Sequence, residues 1–172
     1  MCNLVKSDVW LKPKFIDMVN DFNDNNEDTF SGDYFKTNFD FEAYIKELND
    51  LSNGIGLPEG YVPSTEWWLI NSNDDILGTI RLRHELGERN YQEGGHLGYD
   101  ISPRYKRKGY GKTILALALK KARIRGLKKV LITCDFDNIG SKKIIEHNGG
   151  RLDNIIISKE TGKEVLRYLI EL

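Results

Sequence analysis

Apolar residues between Leu11 and Phe22 recur at steps of three and four, as Phe15, Met18, Val19 and Phe22, which predicts an amphipathic helix. Asp40 stands at the N-cap position of a second helical pattern that places Phe41, Tyr44, Ile45 and Leu48 on one face. Residues 51–63, punctuated by Gly54, Gly56, Pro58 and Gly60, read as loop. The first sixty residues are thus expected to be helices and loops, and such a layer alone would make a thin core, so the loop is a connection within one domain. Beyond it the period changes to two. Residues 66–70 and 76–82 read as a hairpin around the polar turn 71–75, and residues 95–101 as a strand with Leu97, Tyr99 and Ile101 alternating against His96, Gly98 and Asp100. A helix over residues 110–125 follows, apolar at Ile114, Leu117, Ala118 and Leu119 with lysines opposite. Residues 130–134 form a near-continuous apolar run, the mark of a strand buried on both faces. A short helix over 141–147 stops at Gly149-Gly150, and residues 151–157 and 164–170 close the chain as a second hairpin around Thr161-Gly162. The order predicts an α/β domain with a mixed sheet.

Composition adds bounds. At 172 residues, 40% hydrophobic and 10% aromatic, the chain suits one domain that needs no disulfide or metal staple and is not disordered. Cys2 and Cys134 match no metal-ligand spacing, and Cys134, inside an apolar run, reads as a buried thiol rather than a nucleophile. No apolar run approaches the length of a membrane span and residues 1–10 do not resemble a signal peptide, so a cytoplasmic protein without a membrane partner or a metal is expected. The formal net charge of −1 conceals a segregation: residues 17–50 carry ten acids and two bases, whereas residues 103–129 carry eleven bases and no acid. Such asymmetry directs attention to an anionic partner at the basic stretch.

That stretch begins Ile101-Ser-Pro-Arg-Tyr-Lys-Arg-Lys-Gly-Tyr-Gly-Lys-Thr113. A strand ends, a basic turn with two glycines follows, and a helix opens. Helix N-termini present unpaired N–H groups and a positive dipole end, so the turn is built for phosphate. Gly111-Lys112-Thr113 matches the end of a P-loop, but the glycine that motif requires five positions earlier is Lys106, so a nucleoside-triphosphate site is the weaker alternative. A nucleic-acid interface is weaker still, since only Tyr105 and Tyr110 interleave the bases and the isoelectric point is about 6.3.

Lys106-Arg107-Lys108-Gly109-Tyr110-Gly111 resembles the acetyl-CoA pyrophosphate loop of the GNAT superfamily of N-acetyltransferases, with lysine at the position of the usual Gln or Arg. The preceding strand, the following helix, the strand 130–134 and Asn138-Ile-Gly-Ser141 extend the resemblance over residues 65–172, and residues 1–64 supply the helical pair such folds carry. The resemblance implies one GNAT-like domain: a mixed, mostly antiparallel twisted sheet flanked by helices, with two parallel central strands splayed at the coenzyme. It implies acetyl-CoA as co-substrate. The backbone of Ile101, Ser102 and Pro103 would run beside the pantetheine, and the amides from Lys106 to Lys112 (Arg107, Lys108, Gly109, Tyr110 and Gly111 between them) would hold the pyrophosphate. Arg104, Arg107 and Lys108 would meet the 3′-phosphate, and Asn138 the pantetheine arm; an N-cap role is the alternative for Asn138.

The family's familiar acid–base positions hold Thr133, Ile145 and Gly95 here. The titratable groups left near the substrate end are His84, Glu85, Glu93, His96 and Asp100. His96, on the central strand and titrating near neutrality, is the expected base, with Glu85 second. The acceptor amine, of a small molecule, would lie between the hairpin, residues 86–94 and the N-terminal helices. Arg81 and Arg83 share one face of their strand, which suits either a carboxylate-bearing acceptor or plain solvation; the acidic stretch 17–50 suits either a cationic acceptor such as a polyamine or a solvated helix face. Of the adjacent Trp67 and Trp68, one is expected in the core. A monomer or homodimer is expected. The vacant positions keep a second reading open, a non-catalytic acyl-CoA-binding sensor.

Overall fold

The computed structural model describes residues 2–27 and 39–172. Asp28, Asp33 and Lys36, part of the acidic stretch, lie outside the described residues. The chain opens with a strand, β1 (Asn3–Lys6), inside the part whose pattern reads as helices and loops. Four residues are too few to show an alternation, and β1 is fixed by its partner strand instead, Val5 facing Trp68.

The helix α1 (Lys12–Asp24) buries Phe15, Met18, Val19 and Phe22, as their spacing predicts, and also Asp21. Asp40 caps α2 (Phe41–Ser52), its Oδ1 accepting from the amides of Glu42 at 3.0 Å and Ala43 at 3.1 Å. The hairpin β2 (Ser64–Ile70) and β3 (Ile76–Arg83) turns where Asn71 Oδ1 accepts from the amides of Asn73 and Asp75. A short helix, α3 (Glu88–Gln92), precedes β4 (Leu97–Ile101). Then come α4 (Tyr110–Ile124), β5 (Lys129–Asp135), α5 (Ile139–His147), β6 (Arg151–Ile157) and β7 (Glu164–Glu171).

The strands form two sheets, β1-β2-β3-β4 and β5-β7-β6, and every ladder in them is antiparallel. The central pair, β4 and β5, is splayed as the resemblance implies and makes no ladder. Helix α4 carries the chain from the end of β4 to the start of β5, the crossover that side-by-side strands need, yet the two strands touch only near one end. There the His96 amide donates to Leu131 O at 2.7 Å, and the Leu131 amide donates to His96 Nδ1 at 2.9 Å. Beyond this point the sheets part and leave a cleft.

Two apolar clusters flank the first sheet. On one face Trp67, Leu69, Ile80 and Leu82 pack with Ile114, Leu115, Ala118 and Ala122 of α4 and with β5 and β7. On the other, Trp68, Ile70 and Ile76 pack with α1 and α2, and the Phe15 ring stacks on Trp68 with centroids 4.9 Å apart. Neighbouring residues on a strand face opposite ways, so both tryptophans are core, one in each cluster, where only one was expected. Among the described residues no helix is long and apolar enough to cross a membrane.

Candidate functional site

After β4 the chain makes a 3-10 turn at Pro103–Tyr105, and Arg107 (φ 62°) and Gly109 (φ 87°) take left-handed backbone conformations before α4 opens at Tyr110. The Lys106 amide donates to Pro103 O at 3.1 Å, and the Lys112 and Thr113 amides both donate to Gly109 O. Among the described residues no protein acceptor meets the amides of residues 107–111. These five N–H groups stand at the positive end of a 15-residue helix, where helix amides and dipole favour negative charge. Gly111 is needed for packing as well: a Cβ there would stand 2.4 Å from Ile144 Cδ1 of α5.

The geometry corrects several expectations. Lys106 and Lys112 do not offer amides to a ligand, and the Lys106 ammonium pairs with Glu27. Ser102 is fully buried, its amide donating to Leu77 O at 3.0 Å, its carbonyl accepting from the Tyr105 amide at 2.8 Å and its hydroxyl donating to Asp21, so it is a fastening rather than a wall of the cleft. Pro103 O is taken by the Lys106 amide. Arg104 is paired with Asp21 at 3.1 Å. Ile101 is half-buried against the core, and Arg107 and Lys108 are exposed, Lys108 Nζ lying 5.6 Å from the Tyr105 ring centroid.

A cleft of about 300 Å³ opens between β4 and β5, lined by Gly98, Tyr99, Thr133, Cys134, Asn138 and Ser141 among others. Asn138 Oδ1 caps α5 by accepting from the Ser141 amide at 2.9 Å. Tyr99 and Ser141 share a hydroxyl–hydroxyl hydrogen bond of 2.8 Å. Burial pushes the Tyr99 hydroxyl up to about 12 and the Cys134 thiol up to about 11, so both stay protonated at neutral pH. Cys134 is therefore the buried thiol that its apolar run predicts.

A second cleft, of about 1060 Å³, lies between β3, the loop at residues 60–62 and the α3 segment, with Arg81 and Arg83 in its wall. Arg81 is bound to the buried Glu66 at 2.8 Å, and Arg83 donates to Gly94 O and Gly95 O at 3.2 and 3.0 Å. The two clefts share Glu93 and Gly94. This junction is pinned from several sides. The Gly94 amide donates to Thr133 Oγ1 at 3.1 Å, and Arg167 donates to Tyr91 O at 2.8 Å with its guanidinium 5.1 Å from the Tyr91 ring. Glu93 accepts from the Ser158 hydroxyl at 2.7 Å and from the Lys159 amide at 3.0 Å, and these bonds hold its carboxyl below the ordinary range.

His96 and Glu85 do not occupy this junction. His96 is buried, burial lowers its pKa, and its Nδ1 accepts the Leu131 amide. A neutral imidazole has one free lone pair, and here that pair is used inside the protein, so the ring latches the two sheets instead of acting as a base. Glu85 is exposed and lines neither cleft. The position at Gly95 that a family carboxylate would fill is closed by backbone: a Cβ there would stand 2.4 Å from Leu131 O, and φ is 58°. Thr133 supports Gly94, and Ile145 is fully buried core.

The Acetyltransferase (GNAT) domain family matches residues 24–151. An uncharacterized N-acetyltransferase, YycN of Bacillus subtilis (strain 168), is 28% identical over 106 residues, 60% of this chain and 67% of its own length. Among solved structures, the ribosomal L7/L12 alpha-N-protein acetyltransferase RimL, with coenzyme A in a disulfide to one of its cysteines, superposes with a TM-score of 0.74 at 15% identity. That match covers 99% of this chain and 94% of RimL. The microcin C7 self-immunity acetyltransferase MccE, in complex with acetyl-CoA and AMP, gives 0.72 at 14% identity over 99% of this chain and 92% of its own. Fold, loop and sequence agree, and the chain belongs to the GNAT acetyltransferase family, as an acyltransferase.

Proposed function

We propose that the protein transfers the acetyl group of acetyl-CoA directly to a primary amine of a small-molecule acceptor, both substrates being bound together. The observation that carries this reading is the meeting of two clefts at Glu93 and Gly94, a narrow one between β4 and β5 and a larger one open to a separate ligand, with β4 running on into the turn that carries the five amides. The amides of Arg107, Lys108, Gly109, Tyr110 and Gly111 suit a pyrophosphate, the Arg107 and Lys108 side chains a further phosphate, and Asn138 the amide-rich arm between sulfur and phosphate. RimL is a protein whose structure holds coenzyme A in a disulfide to one of its cysteines, and here Cys134 lines the narrow cleft, which is consistent with placing the thioester end in it. The larger cleft has the size of a small-molecule site.

Acetyl-CoA supplies an activated acyl group; the protein supplies position and proton transfer. Glu93 is ionised at neutral pH, so it attracts the acceptor ammonium and helps relay its proton through a water to solvent, the bonds from Ser158 and Lys159 making it too weak a base to keep the proton. Of the paired hydroxyls of Tyr99 and Ser141, one donates to the other and the remaining hydrogen is free to donate a hydrogen bond to the departing sulfur; burial keeps the Tyr99 hydroxyl protonated throughout the working range. His96 and Arg83 hold the junction between the sheets, where displacement of the reacting groups would slow transfer.

Thermal-shift assays with acetyl-CoA, coenzyme A and ATP test the cofactor, and thiol release over a panel of amines tests the transfer. At a hundred times Kd, acetyl-CoA is expected to stabilise by about 2.7 kcal/mol, roughly 5–10 °C for a domain of this size. Stabilisation by ATP alone would refute the reading. Stabilisation by acetyl-CoA with no thiol release from any amine would favour the sensor reading, which the vacant positions at Thr133, Ile145 and Gly95 also support.

A further inference from the structure

Asp21 lies in the acidic N-terminal stretch and belongs to neither cleft, yet it is only 6% exposed. Its carboxylate reaches 81 residues along the chain to the turn before α4. One oxygen accepts from the Ser102 hydroxyl and, at 3.0 Å, from the Arg104 amide. The other meets Arg104 Nε at 3.1 Å. Burial opposes ionisation of this carboxyl, but the three donors outweigh it and hold it below the ordinary carboxylate range. Its neighbours in α1, Met18 three residues before it and Phe22 just after it, anchor the helix in the aromatic core, so the carboxylate is presented from a rigid element.

The turn has other restraints as well: Tyr105 packs against the core, meets the Tyr110 ring edge-on and hydrogen-bonds Asp75. Between Ile101 and Tyr110 the Ser102 amide ties back to Leu77 O, and the Tyr105 and Lys106 amides make local bonds. Glu27, just past α1, adds a second and more exposed tie to Lys106. The two left-handed residues, Arg107 and Gly109, follow directly and aim the amides of residues 107–111. A fixed start to this turn fixes those five donors.

We infer that Asp21 is a positioning residue for the acetyl-CoA pyrophosphate: the N-terminal layer clamps the phosphate turn through Ser102 and Arg104. The inference rests on the acetyl-CoA reading of the site. It assigns part of the acidic stretch a use that is neither acceptor binding nor solvation, and it accounts for Arg104 being turned away from the ligand.

The test is isothermal titration of Asp21→Asn, Ser102→Ala and the exposed control Asp24→Asn with two probes, acetyl-CoA and S-acetylpantetheine, which lacks the pyrophosphate. Hydrogen exchange of residues 102–112 in the free protein is measured beside it. Asp21→Asn is expected to raise Kd for acetyl-CoA about tenfold, to leave S-acetylpantetheine within twofold, and to speed exchange in the turn while β2 and β3 keep their protection. Ser102→Ala should show the same contrast more weakly, and it stands in if Asp21→Asn fails to fold. Unchanged acetyl-CoA binding, or equal weakening of both probes, would overturn the inference by making Asp21 neutral or merely structural. Wild-type protein that bound neither probe would instead overturn the acetyl-CoA reading, and turn exchange unaltered by Asp21→Asn would then overturn the clamp as well; faster exchange confined to the turn would uphold it.

Discussion

Replacing His96 by Ala separates a latch from a base. In the wild type, His96 Nδ1 accepts the Leu131 amide, and Leu131 is only 3% exposed. Removing the ring leaves that N–H buried without a partner, at a cost of about 1–3 kcal/mol. Loss of the buried ring adds on the order of 1 kcal/mol of cavity and contact terms. The sum, roughly 2–4 kcal/mol, is a drop in melting temperature of roughly 5–15 °C for a domain of this size. Urea unfolding followed by circular dichroism measures it. His96→Asn offers an amide oxygen close to the Nδ1 position and should recover at least half of the loss. Turnover per folded molecule at saturating substrate should stay within about fivefold in both variants, whereas removal of a general base costs about 10²–10⁴-fold. A stable His96→Ala protein whose turnover has fallen a hundredfold would refute the latch and restore His96 as the base.

Other expectations follow from the same geometry. Glu93→Gln should lower kcat by about a hundredfold or more with little change in Kd for acetyl-CoA; because the Ser158 and Lys159 bonds depress the carboxyl, the acidic limb of the wild-type pH–rate profile should fall below the ordinary carboxylate pKa of about 4. A limb near neutrality that survives in Glu93→Gln would assign the base elsewhere. Gly95→Ala combines φ 58° with a 2.4 Å approach to Leu131 O and should cost about 2 kcal/mol or more in urea unfolding; a loss under 0.5 kcal/mol would show that the sheets can move apart freely. His84 is pushed down to about 4, chiefly by burial and then by Arg125, so it binds a proton more weakly folded than unfolded. Stability should therefore fall as pH drops from 7 to 4, and His84→Gln should flatten that slope; an unchanged slope would remove His84 from the account. Cys134, raised to about 11, should react slowly with iodoacetamide at pH 7.5 and more slowly still with acetyl-CoA present, as read by intact mass.

Much of this fold is legible in the pattern because its elements are long or strongly periodic. The hairpin of β2 and β3, the α4 helix and the closing hairpin lie within a residue or two of where alternation and the 3.6-residue period put them. β1 and α3 escape because four or five residues carry no period, and pairing or docking decides them. The parting of β4 from β5 is implied by the family resemblance and not by the pattern itself, which carries no sign of how closely Gly95 approaches the Leu131 carbonyl 36 residues away. The glycine-containing turn before α4 is legible since glycines, bases and a helix start coincide in one short segment, whereas which amides stay open depends on Pro103 and Gly109 carbonyls capturing Lys106 and Lys112. The junction residues were the hardest to see. Glu93 looks like any surface acid until the Ser158–Lys159 turn comes to meet it. Tyr99 does leave a signal, standing with Leu97 and Ile101 on one face of its strand, but its partner Ser141 comes from α5, 42 residues on. Arg167 and Asp21 leave no signal, being charged residues buried by partners 76 and 81 positions away.

The central claim is that acetyl-CoA lies in the cleft between β4 and β5 with its thioester facing the acceptor cleft. A crystal structure of the protein with acetyl-CoA tests this most directly. The account predicts the pyrophosphate on the amides of residues 107–111, the pantetheine arm between Tyr99 and Asn138, and the acetyl group beside Glu93 and Gly94. Pyrophosphate bound elsewhere, or an acetyl group with Glu93 out of reach of any amine placed in the larger cleft, would contradict it.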